Sequence, residues 1–228
     1  MTNDKKPIAS GNAKRKAADK SKQPVKRDAE RSKKSILDAA LMEFSTCGYS
    51  GARIDNIAKL AGVSKPLLYD YYGDKDAIYA AALREAYVQI REGEKDLDLE
   101  NLGPEQAIRT LVKFTLQHFQ SKPWFISMLN TENLRGGTTI RAIKDANDIQ
   151  SQLLEKLGEI LRQGVDQGVF RAGIDPVELY ISIASLCYFP VSNAHTLRAV
   201  FKCDVDAPWL EKHGDNAAEM LIRFLKPS

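Results

Sequence analysis

The stretch AGVSKPLLYDYY, at residues 61–72, decides how the N-terminal part of this chain folds. It opens on a small residue, a glycine and an apolar residue, the three kinds of residue that a tight turn between two helices needs. Ser64 then suits the N-cap of a helix, and Pro66 lies in the first turn, where its missing N–H breaks no hydrogen bond. Leu68 follows one turn after Ser64 and is expected to point inward. The stretch therefore predicts the turn and the second helix of a helix-turn-helix unit.

Helical periodicity upstream supplies the rest of that unit. Residues 53–62, RIDNIAKLAG, predict a short helix that ends at Gly62. A longer helix comes before it and ends at Gly48, whose position suits a residue of positive φ. The apolar face of that longer helix consists of Ile36, Leu37, Ala40, Leu41 and Phe44. Three helices in this order predict a small head domain.

The rest of the chain also has the period of helices. A helix capped by Asp74 follows the head, and a charged stretch near residue 93 marks a domain boundary. Beyond it we predict helices over residues 104–120, within 123–137, over 138–165, from 176 onward, over 192–202 and over 215–225. Pro190 is expected to kink or break the helix in which it lies. No segment alternates as a strand does, so the predicted fold class is all-α, a three-helix head followed by a helical body.

Positive charge is concentrated at the N-terminal end. Residues 1–34 hold 12 Lys and Arg against 4 Asp and Glu, whereas residues 35–75 carry a net charge of −1 and residues 76–228 one of −4. We predict that residues 1–27 are a disordered basic tail, which either contacts nucleic acid or only keeps the protein solvated. Residues 28–92 are then the head and residues 93–228 the body.

Composition and motifs bound the class of protein. Of 228 residues 43% are hydrophobic, yet no apolar run approaches the ~20 residues that cross a bilayer. The three cysteines lie far apart, so we expect reduced thiols in a cytoplasmic protein without membrane contact. The chain has no P-loop, GxSxG, HExxH or dinucleotide glycine motif, and its three histidines lack metal-ligand spacing. We therefore expect no catalytic residue, no metal and no cofactor.

Six residues of the quoted stretch lie along the other flank of the second helix, away from the side on which Leu68 points inward. These residues are Lys65, Pro66, Leu67, Tyr69, Asp70 and Tyr71. The N-terminal half of a recognition helix contacts base edges at such positions. Lysine can donate to guanine, an apolar side chain can pack on a thymine methyl, and tyrosine hydroxyls suit phosphate oxygens. The alternative is a generic helical hairpin with tyrosines on its surface.

Residues 33–83 resemble the DNA-binding region of the tetracycline-repressor (TetR/AcrR) family of transcriptional regulators, most specifically in IAKLAGVSKPLLYDYYGDKDAIY. The resemblance implies a homodimeric repressor that binds a double-stranded DNA operator of two half-sites and leaves it when a small-molecule effector binds. It implies phosphate contacts by Arg53, Ser64, Tyr71 and Lys75. It implies that the groove is faced by Lys65, Pro66, Leu67, Tyr69 and Asp70. Leu67 and Tyr72 depart from the residues usual in the family. The alternative function is a helical adaptor that binds protein without DNA specificity.

The body carries a weaker resemblance. GVFRAGIDP, at residues 168–176, resembles the turn before the main dimerisation helices of the same family. By that analogy the dimer contacts are Leu179, Ile183, Leu186, Phe189, Leu221 and Leu225. The effector would bind among the middle helices, near Phe114, His118, Trp124, Phe125 and Met128. Aromatic residues and Met at this spacing are also what a plain core contains. Asn130, Glu132 and Arg135 either line the mouth of such a pocket or cap a helix.

Overall fold

The computed structural model describes residues 1 and 22–227, and it describes side chains for all of these except residues 22–27 and 146–151. The described chain is helical and contains no strand, which confirms the all-α prediction. Its helices are α1 (Lys22–Gly51), α2 (Ile54–Ala61), α3 (Lys65–Tyr72), α4 (Lys75–Lys95), α5 (Pro104–Ser121), α6 (Pro123–Leu134), α7 (Thr138–Ala142), α8 (Ala146–Asp166), α9 (Pro176–Ser192), α10 (Ala194–Phe201) and α11 (Ala207–Leu225).

The first three helices form the predicted head. α1 contributes Ile36 and Phe44 to its core, α2 contributes Ile57 and α3 contributes Leu68, and all four side chains are fully buried. Burying a side chain of this size stabilises a fold by about 1.5–3 kcal/mol. α1 is interrupted at Gly48, which has the predicted positive φ (φ 65°, ψ 175°) and turns the chain toward α2. The small apolar core thus holds α3 against α1.

α4 connects the head to the body. Ile78 is buried at its head end and Ile90 at its body end, so one helix contributes to both cores. α1 also packs directly on α6 of the body. Within the body, α5 packs against both α9 and α11, and α8 packs against α4, α5 and α9. Head and body therefore share a packed boundary.

Two of the predicted domain limits fall inside helices. α1 begins at Lys22, so residues 22–27 are helical, and the rest of the predicted tail, residues 2–21, lies outside the described residues. The boundary predicted between residues 92 and 93 falls inside α4, which continues to Lys95. Two of the charged residues there, Arg91 and Glu94, form an ion pair and are buried, with 5% and 3% of their surface exposed.

The single long helix predicted over residues 138–165 is wrong. The structure has α7, a break at residues 143–145, and then α8. Glu132 accepts hydrogen bonds from the backbone N–H groups of Thr139 (2.7 Å) and Ile140 (2.9 Å) and so caps α7. Arg84 of α4 donates three hydrogen bonds to Asp145, directly before α8, two from Nε and one from a terminal nitrogen. Both contacts are made by residues of other helices, and the periodicity of residues 138–165 contains no information about such contacts.

The sequence predicts that α9 is kinked or broken at Pro190, and in the structure α9 is not broken at this proline. The helix continues through it to Ser192. A proline lacks the N–H that would bond to the carbonyl four residues earlier, here that of Leu186. The Nε2 of His213 in α11 lies 2.9 Å from that oxygen and donates to it instead. A neighbouring helix thus satisfies the carbonyl that the proline leaves open.

The last helix is longer than predicted. α11 begins at Ala207, well before residue 215, because Asp206 caps it by accepting from the N–H of Trp209 at 2.9 Å. The proline at residue 208 lies in the first turn, where it disrupts nothing.

Candidate nucleic-acid interface

A tight turn joins α2 to α3. Gly62 is in the left-handed region (φ 67°, ψ 30°), as predicted, and Val63 donates its N–H to the carbonyl of Ala58 at 3.0 Å. The hydroxyl of Ser64 accepts from the N–H of Leu67 at 3.3 Å, which confirms the predicted N-cap. Turn and cap together set the direction in which α3 leaves α2.

α3 has one buried face and one exposed face. Leu68 points into the head core, as predicted. The exposed residues predicted to contact DNA are Arg53, Ser64, Lys65, Pro66, Tyr69 and Asp70. Three others are half-buried: Leu67, Tyr71 and Lys75. The structure therefore presents most of the predicted groove-facing set to solvent, while Leu67 is partly covered.

Lys75 and Arg53 lie near the same helix end. The Lys75 ammonium donates to the carbonyl of Ala52 at 2.7 Å and lies 4.9 Å from the centre of the Tyr49 ring. Arg53 follows Ala52 and occupies the N-cap position of α2. The first N–H groups of a helix are free to bind an anion, and the helix dipole favours one there. Two predicted phosphate contacts are thus brought together at the start of α2.

A buried carboxylate holds that helix start in place. Glu43 of α1 is 7% exposed, and its Oε1 accepts from the backbone N–H of Arg53 (2.9 Å) and from Nδ2 of Asn56 (3.1 Å). Sequence reasoning missed Glu43. Its position two helical turns after Ile36, on the buried side of α1, was the available signal.

Lys65 is paired in this structure. Its Nζ lies 2.8 Å from Oδ1 of Asp55, in the first turn of α2. The hydrogen bond from Lys65 to Asp55, together with the charge of Asp55, raises the pKa of the lysine. The two side chains remain 45% and 73% exposed. The ion pair therefore bridges the two helices of the unit on its solvent side.

The five residues predicted to bind an effector belong to one region of the body core. Phe125 and Met128 are buried, and the rings of His118 and Phe125 pack edge to face with centres 5.2 Å apart. Phe114 and Trp124 are half-buried and pack at its border. The burial leaves both interpretations of these residues open, an effector site and a plain core.

Buried polar groups that sequence reasoning missed share this interior. Arg91 pairs with Glu94 and donates to the hydroxyl oxygen of Tyr180 at 2.5 Å. Burial raises the pKa of Glu94 to about 7, against the opposing effect of Arg91. Burial, followed by the charges of Lys122 and Arg91, lowers the pKa of His118 to about 4. Nε of Arg91, Oε1 of Glu94 and Nε2 of His118 have no hydrogen-bond partner within the described part of the chain.

The positions of Arg91 and Glu94 along α4 were the feature of the sequence that could have indicated this buried pair. Arg91 and Glu94 continue the buried stripe of Leu83, Ala86 and Ile90. Charged residues in a buried phase indicate a paired interior site.

A cation–π contact joins head and body. The guanidinium carbon of Arg135, directly after α6, lies 3.4 Å from the ring centre of Tyr49 in α1 and 5.3 Å from that of Tyr79 in α4. An Arg135 nitrogen lies 3.9 Å from Asp76, which accepts from the Tyr49 hydroxyl at 2.5 Å. Glu132 is a helix cap, whereas Arg135 is a contact between domains.

Burial corrects four of the six predicted dimer contacts. Leu179, Ile183, Leu221 and Leu225 are buried inside the protomer. Leu186 is half-buried and Phe189 exposed. The buried four face the protomer core, because α5 packs on that side of both α9 and α11. The outward faces carry exposed apolar residues instead, 45–60% exposed: Val177, Ile181 and Phe189 on α9, and Met220 and Phe224 on α11.

A helix-turn-helix head that presents its second helix to solvent, joined to a helical body, defines a DNA-binding regulator of transcription. The chain belongs to the tetR family: residues 36–82 match the family model described as "Bacterial regulatory proteins, tetR family", and residues 104–221 match "Tetracyclin repressor-like, C-terminal domain". It is 34% identical over 200 residues to the HTH-type transcriptional repressor NicS of Pseudomonas putida, covering 86% of this chain and 94% of that protein. It is 28% identical over 196 residues to the HTH-type transcriptional regulator RutR of Escherichia coli K12, covering 86% and 91%.

Solved structures have the same fold. The putative transcriptional regulator SCO4942 of Streptomyces coelicolor matches with a TM-score of 0.64 at 21% identity, over 86% of this chain and 99% of that one. FadR of Bacillus subtilis, solved in complex with stearoyl-CoA, matches with a TM-score of 0.64 at 21% identity, over 83% and 97%. In the described part of the chain, no helix is both long and apolar enough to cross a membrane.

Proposed function

We propose that this regulator is a homodimeric repressor that binds a double-stranded DNA operator through α3 and leaves it when a small molecule binds in the body. The observation that carries DNA binding is the geometry of α3. It is capped by Ser64 and anchored by Leu68, and it exposes Lys65, Pro66, Tyr69 and Asp70. The name of the relative NicS, a repressor, supports repression as the direction of control.

Two groups of residues in the head contact different parts of the DNA, the major groove and the backbone phosphates. Lys65, Pro66, Leu67, Tyr69 and Asp70 enter the major groove at the N-terminal half of the recognition helix. Arg53, Ser64, Tyr71 and Lys75 contact phosphates on either side of it. Arg53 and Lys75 act together, since Arg53 is the N-cap residue of α2 and the ammonium group of Lys75 lies beside it, at the carbonyl of Ala52.

The outward faces of α9 and α11 form the dimer contact. On α9 the apolar residues recur every four or eight positions, at Val177, Ile181 and Phe189, and on α11 Met220 and Phe224 are four apart. The two helices pack against each other, so the stripes lie on neighbouring elements. A two-fold dimer places two recognition helices about 34 Å apart, which matches successive half-sites on one face of the duplex.

A charge on these stripes tests the dimer. We expect Ile181→Lys and Phe224→Lys each to convert the protein to a monomer in sedimentation equilibrium, because a lysine in an apolar interface is left without a partner. Leu134→Lys is the matched control, since Leu134 is 90% exposed on α6. A dimer that persists in both variants contradicts this interface.

The effector binds in the body interior around His118. Phe114, Phe125 and Trp124 supply apolar surface there. Polar groups are supplied by Nε2 of His118, Nε of Arg91 and Oε1 of Glu94, which have no hydrogen-bond partner among the described residues. A buried polar atom without a hydrogen-bond partner destabilises the protein. A ligand that forms a hydrogen bond to such an atom removes this cost, which favours its binding. Movement of α6 then reaches the head through Arg135, which stacks on Tyr49.

The protein works without a catalytic activity, a metal or a cofactor of its own, and it acts in the cytoplasm without membrane contact. Its relatives are named as regulators of transcription, and control of an operator by binding requires no bond to be made or broken.

Selection of bound duplexes from a random pool by the full-length protein tests this function. We expect enrichment of one sequence with two related half-sites spaced by about one helical turn. We also expect affinity to fall steeply with salt, because phosphate contacts release counterions. A pool in which no sequence is enriched contradicts sequence-specific binding and favours a helical adaptor.

A further inference from the structure

Asp55 forms an ion pair with the positive charge of the recognition helix. Lys65 is the one Lys or Arg in α3, and its ammonium lies 2.8 Å from Oδ1 of Asp55. Asp55 extends from the first turn of α2, and 73% of its side-chain surface is exposed. A carboxylate therefore stands on the exposed side of the helix-turn-helix unit, at the point where an anionic duplex has to approach.

A lysine at this position that is not held in an ion pair favours contacts with the phosphates of the DNA backbone. Its ammonium is a compact point charge on a flexible four-carbon stem, with donors that suit any phosphate within reach. Such contacts strengthen binding to every sequence and carry no information about the bases. Guanine O6 and N7, by contrast, are neutral acceptors at fixed positions in the groove.

The ion pair changes this balance in two ways. It limits the orientations of Lys65, because the ammonium is held against α2. It also places a negative charge beside any phosphate that Lys65 neutralises, and this repulsion penalises a phosphate contact more than a contact to a neutral base. Specificity is a difference between two affinities, so a penalty on the wrong complex raises it as effectively as a new contact in the right one.

We propose that Asp55 is a specificity-determining residue of this regulator, which directs Lys65 toward base acceptors and away from backbone phosphates. The proposal rests on DNA binding through α3, as proposed above. It assigns Asp55 a positioning role that acts through Lys65 and requires no direct contact of the carboxylate with DNA.

The test compares four full-length proteins: wild type, Asp55→Asn, Lys65→Met and the double variant. Each is titrated by fluorescence anisotropy with two duplexes, one selected from a random pool by the wild type and one of equal length and composition that the pool does not enrich. Asp38→Asn is the matched control, because Asp38 is an exposed acid on α1 and its loss changes the net charge equally. Circular dichroism confirms that each variant is folded, and Asp55→Glu provides a second variant that keeps the charge.

Asp55→Asn is expected to bind the unselected duplex about 5–10-fold more tightly and the selected duplex within about twofold of wild type, so discrimination falls by about 5–10-fold. On the unselected duplex, the slope of log affinity against log salt becomes steeper by about 0.9, the value for one additional phosphate contact. In the Lys65→Met background the same change leaves discrimination unaltered. Asp55→Glu and Asp38→Asn keep the discrimination of the wild type.

Two results overturn the proposal. If Asp55→Asn and Asp38→Asn strengthen binding to both duplexes equally, Asp55 acts only through net charge. If the loss of discrimination persists without Lys65, the carboxylate acts on DNA by itself, for example by accepting from a cytosine amino group. Failure of the wild type to enrich any sequence refutes the proposed function instead, so the two failures are distinguishable.

Discussion

A single residue, Glu43, links two helices of the head through one of its carboxylate oxygens. It accepts from the backbone N–H of Arg53 and from Asn56, and it is almost completely buried. Because Arg53 has no side-chain cap of its own, the orientation of the start of α2 depends on this carboxylate.

We therefore expect Glu43→Ala to lower the free energy of unfolding by about 1–3 kcal/mol, since the partly buried N–H of Arg53 loses its acceptor. Urea denaturation measures this. Asp38→Ala, on the exposed side of the same helix, should stay within about 0.5 kcal/mol of wild type. Equal effects of the two variants would contradict a capping role for Glu43.

His118 makes stability depend on pH in a predictable direction. Its pKa in the fold is about 4, below the usual 6.5, because burial and nearby cations disfavour the charged form. The unfolded chain therefore binds a proton that the folded chain does not, and stability falls as pH drops from 6.5 toward 4. Between pH 7 and 5 we expect the wild type to lose stability relative to His118→Phe, at up to about 1.4 kcal/mol per pH unit.

The comparison with His118→Phe isolates the histidine. The pKa of Glu94 is raised to about 7, so its own contribution changes in the opposite sense, falling as pH rises from 4.5 through 7. Because Glu94 is present in both proteins, it cancels in their difference. Parallel stability curves over this range would show that the His118 pKa is not lowered.

At the scale of elements, α9 is continuous because α11 completes it. The carbonyl of Leu186 has no helical donor, since residue 190 is proline, and His213 supplies one at 2.9 Å. The stability of one helix thus depends on a side chain of another.

His213→Ala should lower the free energy of unfolding by about 1–3 kcal/mol, the cost of a buried acceptor without a donor. In a Pro190→Ala background the N–H of residue 190 returns and can bond to Leu186, so the same substitution should cost less. A double-mutant cycle in urea measures the coupling. Additive effects would mean that His213 stabilises the protein by packing alone.

At the scale of the whole molecule, Arg135 connects the body to the DNA-binding head. It stacks on Tyr49 at 3.4 Å and lies close to Asp76, while Lys75 lies 4.9 Å from the same tyrosine ring. A displacement of α6 therefore acts on the residues that hold Lys75 beside the start of α2.

We expect Arg135→Gln to speed amide hydrogen exchange in the segments around Tyr49 and Asp76, because a cation–π contact of about 0.5–2 kcal/mol is lost there. Exchange measured by mass spectrometry on the full-length protein checks this. Arg162→Gln is the control, since Arg162 is exposed on α8, where it lies 3.9 Å from Glu159 and donates to the carbonyl of Gly158 in the same helix at 3.4 Å. The idea fails if both variants exchange like the wild type in those segments.

The helix-turn-helix unit follows from signals that are local in the sequence. Gly62, Ser64 and Leu68 act through the turn, the cap and the helical phase, which depend on residues close in the chain, and the structure confirms each of them. The all-α class followed in the same way, from periods repeated along every segment.

Contacts between elements that are distant in the chain set which face of a helix is buried and where some helices stop. The family resemblance assigned Leu179 and Ile183 of α9 to the dimer, but α9 is apolar on both sides, and packing on α5 buries these two residues within the protomer. The break before α8 and the passage of α9 through Pro190 depend on Arg84 and His213, each more than twenty residues away. These outcomes are set by partners that are distant in the chain, and a local pattern contains no information about them.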